Sequence, residues 1–294
     1  MKAFLAILLF LSAYYVISAQ DYDLLQSLEE ITTPQTEYTY ATFKGTRIIT
    51  GQSIENTMAG QLEFQISHRF GRVSSGIDNF WGLDQSNIFI SLEYGLTDWL
   101  ELGIGRASNE KIINGFSKIK ILRQSGGEKV MPVSLSYFAS ACVNSSPWDP
   151  LSNYYFTSRL SFVHQLLIAR KLTEDLSMQL SPTMIHRNLV QTERDENDIY
   201  ALGIGGRYKL ANRVSINFEY FYVFRPSLDI FDKYKDPVSL GVDIETGGHV
   251  FQIMLSSSPG MIEKHYIADN IDDWQAGDIH LGFNISRVFT IFSH

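Results

Sequence analysis

Apolar and polar residues alternate along most of this chain, most regularly in the two arms between Ile199 and Phe224 that meet at Ala211-Asn212. A period of two places successive side chains on opposite faces of a β-strand. Each arm has about 11 residues, the length of a tilted strand that crosses a bilayer. A soluble β-sandwich shows the same alternation, so this hairpin alone predicts strands but not a membrane. The apolar face of the second arm consists of Val214, Ile216, Phe218, Tyr220, Tyr222 and Phe224.

The same alternation recurs from Gly60 to the C-terminus, and the joins between the alternating segments differ in length. Short turns on one side and long polar loops on the other are typical of an outer-membrane barrel. We therefore predict an all-β fold, a transmembrane antiparallel up-and-down β-barrel of about 12 strands, with about 14 strands as the alternative. With an even number of strands, both ends of the barrel lie in the periplasm. The short joins are predicted near Thr97, Ser125, Thr173, Ala211 and Gly247, and the longer ones include Asn109–Gly115.

Residues 1–19 have the pattern of a secretory signal peptide. Lys2 supplies the positive start, Ala3–Val16 the apolar core, and Ser18-Ala19 the small-residue cleavage site. The apolar run is too short for a transmembrane helix. Cleavage before Gln20 and export to the outer membrane are therefore predicted.

Residues 20–59 are predicted to form a periplasmic leader that precedes the barrel at 60–294. Asp21–Gln35 is acidic, and its Leu and Ile residues have helical spacing. Thr36–Thr50 has the composition of a strand with a break at Gly45. Counted as a spanning strand, it would place the N-terminus outside the cell. We therefore predict a periplasmic or lumenal element here, such as a plug, with an extra barrel strand as the alternative.

Composition narrows the range of partners. The net charge is −8 at pH 7, and an acidic exported chain argues against nucleic acid. Cys142 is the only cysteine, so no internal disulfide is expected. The expected partners are outer-membrane lipid and small polar solutes, with a periplasmic protein as a further candidate.

Charged residues on the inward faces are the candidate functional residues. If the apolar faces point to lipid, these charges point into the lumen, where they must be paired or hydrated. One interpretation is a narrow polar pore in which the charges bias solute passage. The other, slightly favoured, is a salt-bridged interior that holds the barrel shut. The candidates are Glu93, Glu101, Arg159, Arg187, Arg207, Glu219 and Asp243.

No arrangement of residues in the sequence predicts catalysis, a cofactor or a metal site. Ser67 and His68 are adjacent, and neighbouring residues of a strand face opposite sides, which is wrong for a Ser–His pair. The acidic loop Glu263–Trp274 lacks the spacing of a calcium loop. We predict a solvated loop there and a non-enzymatic protein.

Four segments resemble an uncharacterised family of β-barrel proteins from Bacteroidota that carries a domain-of-unknown-function label. They are Ala41–Glu55, Glu63–Gly71, Ser86–Arg106 and Asp243–Ser258, of which HRFG and ETGGHVFQ are the most specific stretches. The resemblance spans nearly the whole mature chain. It implies an outer-membrane barrel in a Gram-negative host of the Bacteroidota type, and it transfers no catalytic residue.

Three functions remain open from the sequence. The leading hypothesis is a small-solute channel or transport-associated barrel whose lumenal charges set selectivity. The second is a closed scaffold barrel that anchors a periplasmic partner through the N-terminal leader. The third, a minor alternative, is a membrane-embedded hydrolase.

Overall fold

A computed structural model describes residues 35–147, 155–225 and 233–292. In these residues twelve antiparallel strands form a closed barrel in which each strand pairs with its neighbours in sequence and the last strand pairs with the first. The predicted signal peptide and nearly all of the acidic segment Asp21–Gln35 lie outside the described residues. The strands are β1 Gln61–Arg72, β2 Ser86–Gly95, β3 Leu100–Ala107, β4 Ile113–Leu122, β5 Ser134–Val143, β6 Leu160–Lys171, β7 Leu176–Arg187, β8 Asp198–Ala211, β9 Val214–Phe224, β10 Val238–Thr246, β11 His249–Ser256 and β12 His280–Thr290.

The alternation of apolar and polar residues determines which face of each strand points outward. In the hairpin of β8 and β9, Tyr200 lies opposite Phe224 and Ile204 opposite Tyr220, as the sequence pattern predicts. Outward side chains such as Ile90 are exposed and apolar, while their inward neighbours, here Phe89 and Ser91, are buried. The ladder between β12 and β1 closes the wall. The predicted fold, an antiparallel barrel of twelve strands, is confirmed.

Short turns lie at one end of the barrel and longer connections at the other, but two predicted join lengths are wrong. The β3–β4 join near Asn109 covers only residues 108–112, because Glu110 and Lys111 adopt positive φ angles and reverse the chain tightly. The join near Ser125 is longer than predicted and covers residues 123–133. Within it, Ser125–Gly126 pairs with Glu37–Tyr38 in a separate two-residue ladder.

Residues 41–59, which we call the plug, lie inside the barrel. At the tip of the plug the chain reverses, with Ile48 N donating to Gly51 O at 2.9 Å and Ser53 N to Thr46 O at 2.9 Å. Residues 41–50, which belong to the predicted lumenal element Thr36–Thr50, therefore lie in the lumen. They do not form an extra strand of the wall. The plug places four buried apolar side chains in the main core cluster, namely Phe43, Ile48, Ile49 and Ile54.

The plug leaves the lumen at Gly60, where it joins β1. Gly60 has φ +75°, and a Cβ there would lie 2.4 Å from the carbonyl oxygen of Phe292. The Gly60 carbonyl accepts hydrogen bonds from the N–H groups of Ile291 and Phe292 at 2.9 and 3.0 Å. The exit of the plug and the residues that follow β12 are therefore held together at this glycine.

Residues 259–272, which we call the lid, also fold into the lumen. Their centre is a single π-helical turn, Lys264–Ala268, and Met261, Ile262, Tyr266 and Ile267 are buried. The prediction of a solvated loop at Glu263–Trp274 is wrong, since Glu263 and Asp272 are buried as well. The interspersed apolar residues draw this acidic segment inward, because burying them removes apolar surface from water. Among the described residues, no helix has the length and apolar character needed to cross a membrane.

Candidate functional site: the occluded lumen

The plug has little regular secondary structure, so its buried backbone groups need partners from elsewhere. Glu219 on β9 supplies several of them at once. Its carboxylate accepts from the backbone N–H groups of Ile49 at 3.2 Å, Thr50 at 2.8 Å and Gly51 at 3.0 Å. Charge-assisted hydrogen bonds are stronger than neutral ones, so Glu219 is the main anchor of the plug tip.

Uncharged wall side chains bind the plug carbonyls in the same way. The side-chain amides of Gln179, Gln252 and Asn284 each donate one hydrogen bond of 2.8 Å to the plug backbone. A backbone that lacks a ladder of its own is thus satisfied by side chains from β7, β11 and β12. The accepting carbonyls are those of Gln52, Ile48 and Ile49, respectively.

Buried ion pairs complete the attachment. Lys118 on β4 lies 3.3 Å from the Glu101 carboxylate, and both side chains are fully buried. Lys118 Nζ also donates to the plug carbonyl of Glu55 at 2.8 Å, while Glu101 accepts from the backbone N–H of Thr57 at 2.5 Å. Removing one partner of such a pair leaves an uncompensated buried charge. This cluster therefore links the wall to the plug.

Most of the lumen-lining residues predicted from the sequence contact the segments that fill the lumen. Glu93 lies 3.6 Å from Arg47 of the plug, and Arg207 donates to the plug carbonyl of Ala41 at 3.2 Å. Arg187 donates to Asp269 of the lid at 2.7 Å. Buried along with these are Glu101, Glu219 and Asp243, the last of which accepts from Gln252 at 2.8 Å.

Arg159 is the exception among the predicted residues. It lies in a 3₁₀ turn, Phe156–Arg159, just before β6 rather than within a strand. Its guanidinium donates to the carbonyls of Asn144 and Ser146 at 2.8 and 2.7 Å. The structure therefore places Arg159 at the long-loop end of the barrel, away from the plug tip.

Several wall residues that bind the plug were missed by reasoning from charge. Lys118, Gln179, Gln252 and Asn284 all occupy inward positions of their strands. Because successive side chains alternate between the two faces of a strand, their positions next to the outward apolar residues would have identified them as inward. Charge alone does not select the amide side chains, although these suit backbone carbonyls well.

Ion pairs hold the lid at the long-loop end. Glu110 in the β3–β4 turn accepts from Lys264 at 2.5 Å and lies 3.3 Å from His265 Nε2. The hydrogen bond from His265 and the charge of Lys264 lower the pKa of Glu110 to about 2, against the opposing effect of burial. The carboxylate is therefore ionised over the whole physiological range.

A second group of charges holds the far side of the lid. Asp272 accepts from His280 Nε2 at 2.7 Å and pairs with Arg72 at the end of β1. Burial acts to raise the pKa of Asp272, but the hydrogen bonds from His280 and Arg72 keep it below its usual value. The two groups of charges fix the lid to two separate parts of the wall, the β3–β4 turn and the seam between β12 and β1.

The cavities lined by described residues include one at each end of the barrel, which we call the long-loop vestibule and the short-turn vestibule. The long-loop vestibule has a volume of about 300 Å³, and so has the short-turn vestibule. Inside the barrel, the described residues around Arg47, Glu63 and Asn284 leave a cavity of about 10 Å³, room for about one water molecule. The long-loop vestibule is lined in part by Glu110, Asn144, Arg159, Arg187, Lys264 and Asp269, and the short-turn vestibule by Tyr40, Glu55, Asp98, Lys120 and Arg123.

The residues considered for catalysis are separated by the wall. Ser67 is buried on the inward face, whereas His68 stacks on Phe283 of the outward face with a ring-centroid distance of 5.0 Å. Within the described ranges, no cluster of His, Cys, Asp or Glu could hold a metal ion.

A family described as "Membrane bound beta barrel domain (DUF5777)" matches residues 43–289. The chain belongs to this family. The resemblance to a barrel family of unknown function is thereby confirmed, while the Bacteroidota origin stays a prediction. The match begins within the plug and ends within β12, so the family includes nearly all of the plug as well as the wall.

Solved outer-membrane proteins have folds similar to this family member. One is the NanC porin, 7% identical over 78% of this chain and 98% of that chain, with a TM-score of 0.49. Another is the KdgM porin, 9% identical over 78% of this chain and 99% of that chain, with a TM-score of 0.47. A third is the COG4313 outer membrane channel from Pseudomonas putida F1, 13% identical over 80% of this chain and 97% of that chain, with a TM-score of 0.48. No curated protein matches the chain in sequence.

The family and the fold together place the protein in the outer membrane. An antiparallel barrel of twelve paired strands with an apolar outer face is the architecture that crosses this membrane. The prediction of an outer-membrane β-barrel is confirmed.

Proposed function

We propose that the protein is a non-enzymatic, transport-associated barrel that is closed at rest and passes small polar solutes when the plug and the lid move. The observation that carries the proposal is the arrangement of the lumen. Two polar vestibules of about 300 Å³ each open at opposite ends, and the plug and the lid occupy the space between them. Displacing these two segments would join the vestibules.

The contacts of the inward charges favour a closed resting state over a permanently open pore. Glu219, Glu101 and Arg207 bind the backbone of the plug, so they are engaged in closure. In an open barrel the same residues would line the path, which would then carry both signs of charge. The two predicted roles of these residues thus apply to two states of one lumen.

The mode of attachment supports movement of the plug. Its backbone joins the wall through the isolated bridge of Ala59 with Gly95 and the turn bond from Gln61 N to Met58 O. Most of its other bonds to the wall involve side chains. A neutral hydrogen bond of this kind contributes about 0.5–1.5 kcal/mol net and one to a charged group about 1.5–3 kcal/mol, since water can replace either partner. The plug could therefore leave without unfolding the barrel.

A closed scaffold barrel is the second candidate. The buried apolar side chains of the plug, such as Phe43 and Ile49, favour it, because each adds about 1.5–3 kcal/mol of burial that opening would forfeit. In that case the N-terminal leader, residues 20–59, would hold a periplasmic protein partner. The outer surface contacts lipid in either case.

Planar-bilayer conductance of the purified mature protein distinguishes the two candidates. We expect the wild type to be silent and the double variant Gln252→Ala/Asn284→Ala, which loses two amide bonds to the plug, to show channel openings. Tyr222→Phe on the outward face serves as the control and should remain silent. If every variant is folded by heat-modifiable gel migration and none conducts, the transport proposal is wrong and the scaffold is favoured.

A further inference from the structure

Among the described residues, the lining of the long-loop vestibule contains more positive than negative groups. Arg159, Arg187 and Lys264 line it on the positive side, against Glu110 and Asp269 on the negative side. Four aliphatic side chains complete part of the wall. A cavity that combines cationic groups with apolar walls is suited to an amphipathic anion. The aliphatic residues are Ile112, Leu160, Leu189 and Val190.

Arg187 is the residue around which this cavity is built. Its side chain is 4% exposed, and its two terminal nitrogens donate to Asp269 at 2.7 Å and to the Glu196 carbonyl at 2.6 Å. The remaining donor, Nε, is buried and has no hydrogen-bond partner among the described residues. A buried donor without a partner is costly, so the hydrogen-bonding capacity of this arginine is not fully used while Asp269 is its acidic partner.

Asp269 occupies the position that a bound anion would take. Its two oxygens bind Arg187 at 2.7 Å and Lys264 at 3.4 Å, so one lid carboxylate bridges two cations of the cavity. A ligand carboxylate or phosphate presents the same oxygens in the same fork geometry. An anion could therefore replace Asp269 and leave both cations paired.

We propose that the long-loop vestibule is a binding site for a small organic anion, in which Arg187 and Lys264 hold the anionic group in place of Asp269 and the aliphatic walls hold its apolar part. Because Asp269 belongs to the lid, binding releases one of the contacts that keep the lid in the lumen. This inference names the solute class of the proposed transport path. The link between anion binding and opening rests on the proposed transport function, whereas the binding itself does not.

Titration calorimetry on the detergent-solubilised protein tests the site with three probes that share one ring. We expect benzoate or phenyl phosphate to bind and neutral benzyl alcohol to bind at least about tenfold more weakly. The stronger of the two anions identifies the headgroup as carboxylate or phosphate. Equal affinity for benzyl alcohol, or no heat of binding from either anion, would overturn the proposal.

Variants assign the binding to these residues. Arg187→Gln should weaken anion binding by about tenfold or more, whereas Asp269→Asn should strengthen it because the competing carboxylate is gone. Tyr222→Phe on the outward face is the control, since it touches neither the cavity nor the lid contacts, and it should leave the affinity unchanged. If Asp269→Asn binds the anion no better than the wild type, competition with the lid is excluded and the proposal fails.

The outcome separates this site from the transport proposal. Anion binding without conductance in any plug variant retains the site and rejects transport. Conductance in the plug variants without anion binding retains transport and rejects the site.

Discussion

The plug and the lid both fill the lumen, but different interactions hold them there. The plug is attached deep in the barrel by hydrogen bonds from wall side chains to its backbone, with fully buried charges such as Glu219 and Lys118. The lid is attached near the barrel mouth by ion pairs. In one of them, the side chain of Arg72 is 44% exposed. Salt screens exposed charges far more than buried ones. The two closures should therefore respond to different conditions.

The largest expected effect comes from the buried pair under the plug. Lys118→Met leaves Glu101 charged and unpaired, and it should lower the free energy of unfolding by about 3–5 kcal/mol. Urea unfolding in micelles, followed by gel migration, measures this. The double variant Lys118→Met/Glu101→Gln is the control and should lose less, because no charge remains unpaired. A double variant as unstable as the single one would contradict the pairing.

A smaller effect is expected from acid at the lid. The pKa of Glu110 is lowered from 4.5 to about 2, so the folded lid binds this proton less readily than the unfolded chain does. Its stabilisation is present above pH 4.5 and is lost as the pH falls toward 2. Hydrogen-exchange protection of the lid amides, corrected for the intrinsic rate at each pH, should fall across this window.

Glu110→Gln supplies the control for that pH dependence. The variant has no carboxylate at this position. The hydrogen-exchange protection of its lid amides should therefore lack the part that the wild type loses between pH 4.5 and 2. A wild type and a variant with the same pH profile would show that other groups govern the lid.

The smallest effect is expected at the half-exposed end of the lid. Arg72→Gln should cost about 1 kcal/mol or less, because Arg72 is half-exposed and the buried Asp272 keeps its hydrogen bond to His280. High salt should reproduce part of the loss of lid protection in the wild type and leave the plug amides unaffected. Equal sensitivity of plug and lid to salt would remove the distinction between the two closures.

The wall of the barrel was predictable from the sequence, because lipid on one side imposes an apolar stripe on every strand. What fills the lumen was less so. A Cβ on Gly205 would lie 2.6 Å from Ile48 of the plug, yet that proximity depends on a contact between residues far apart in the chain. The lid was mispredicted because its acids suggest solvent, whereas Ile262 and Ile267 among them are buried. Alternation indicates which side chains point inward and not what they meet there.

The central claim is that inward charges hold the plug in the resting lumen, and amide hydrogen exchange at the plug tip tests it most directly. In the wild type, the N–H groups of Ile49, Thr50 and Gly51 should be protected by Glu219. In Glu219→Gln they should exchange about tenfold to a hundredfold faster, because hydrogen bonds to a charged group contribute about 1.5–3 kcal/mol. Wall amides of the β8–β9 ladder should be unchanged. Rapid exchange of the three amides in the wild type would contradict the account.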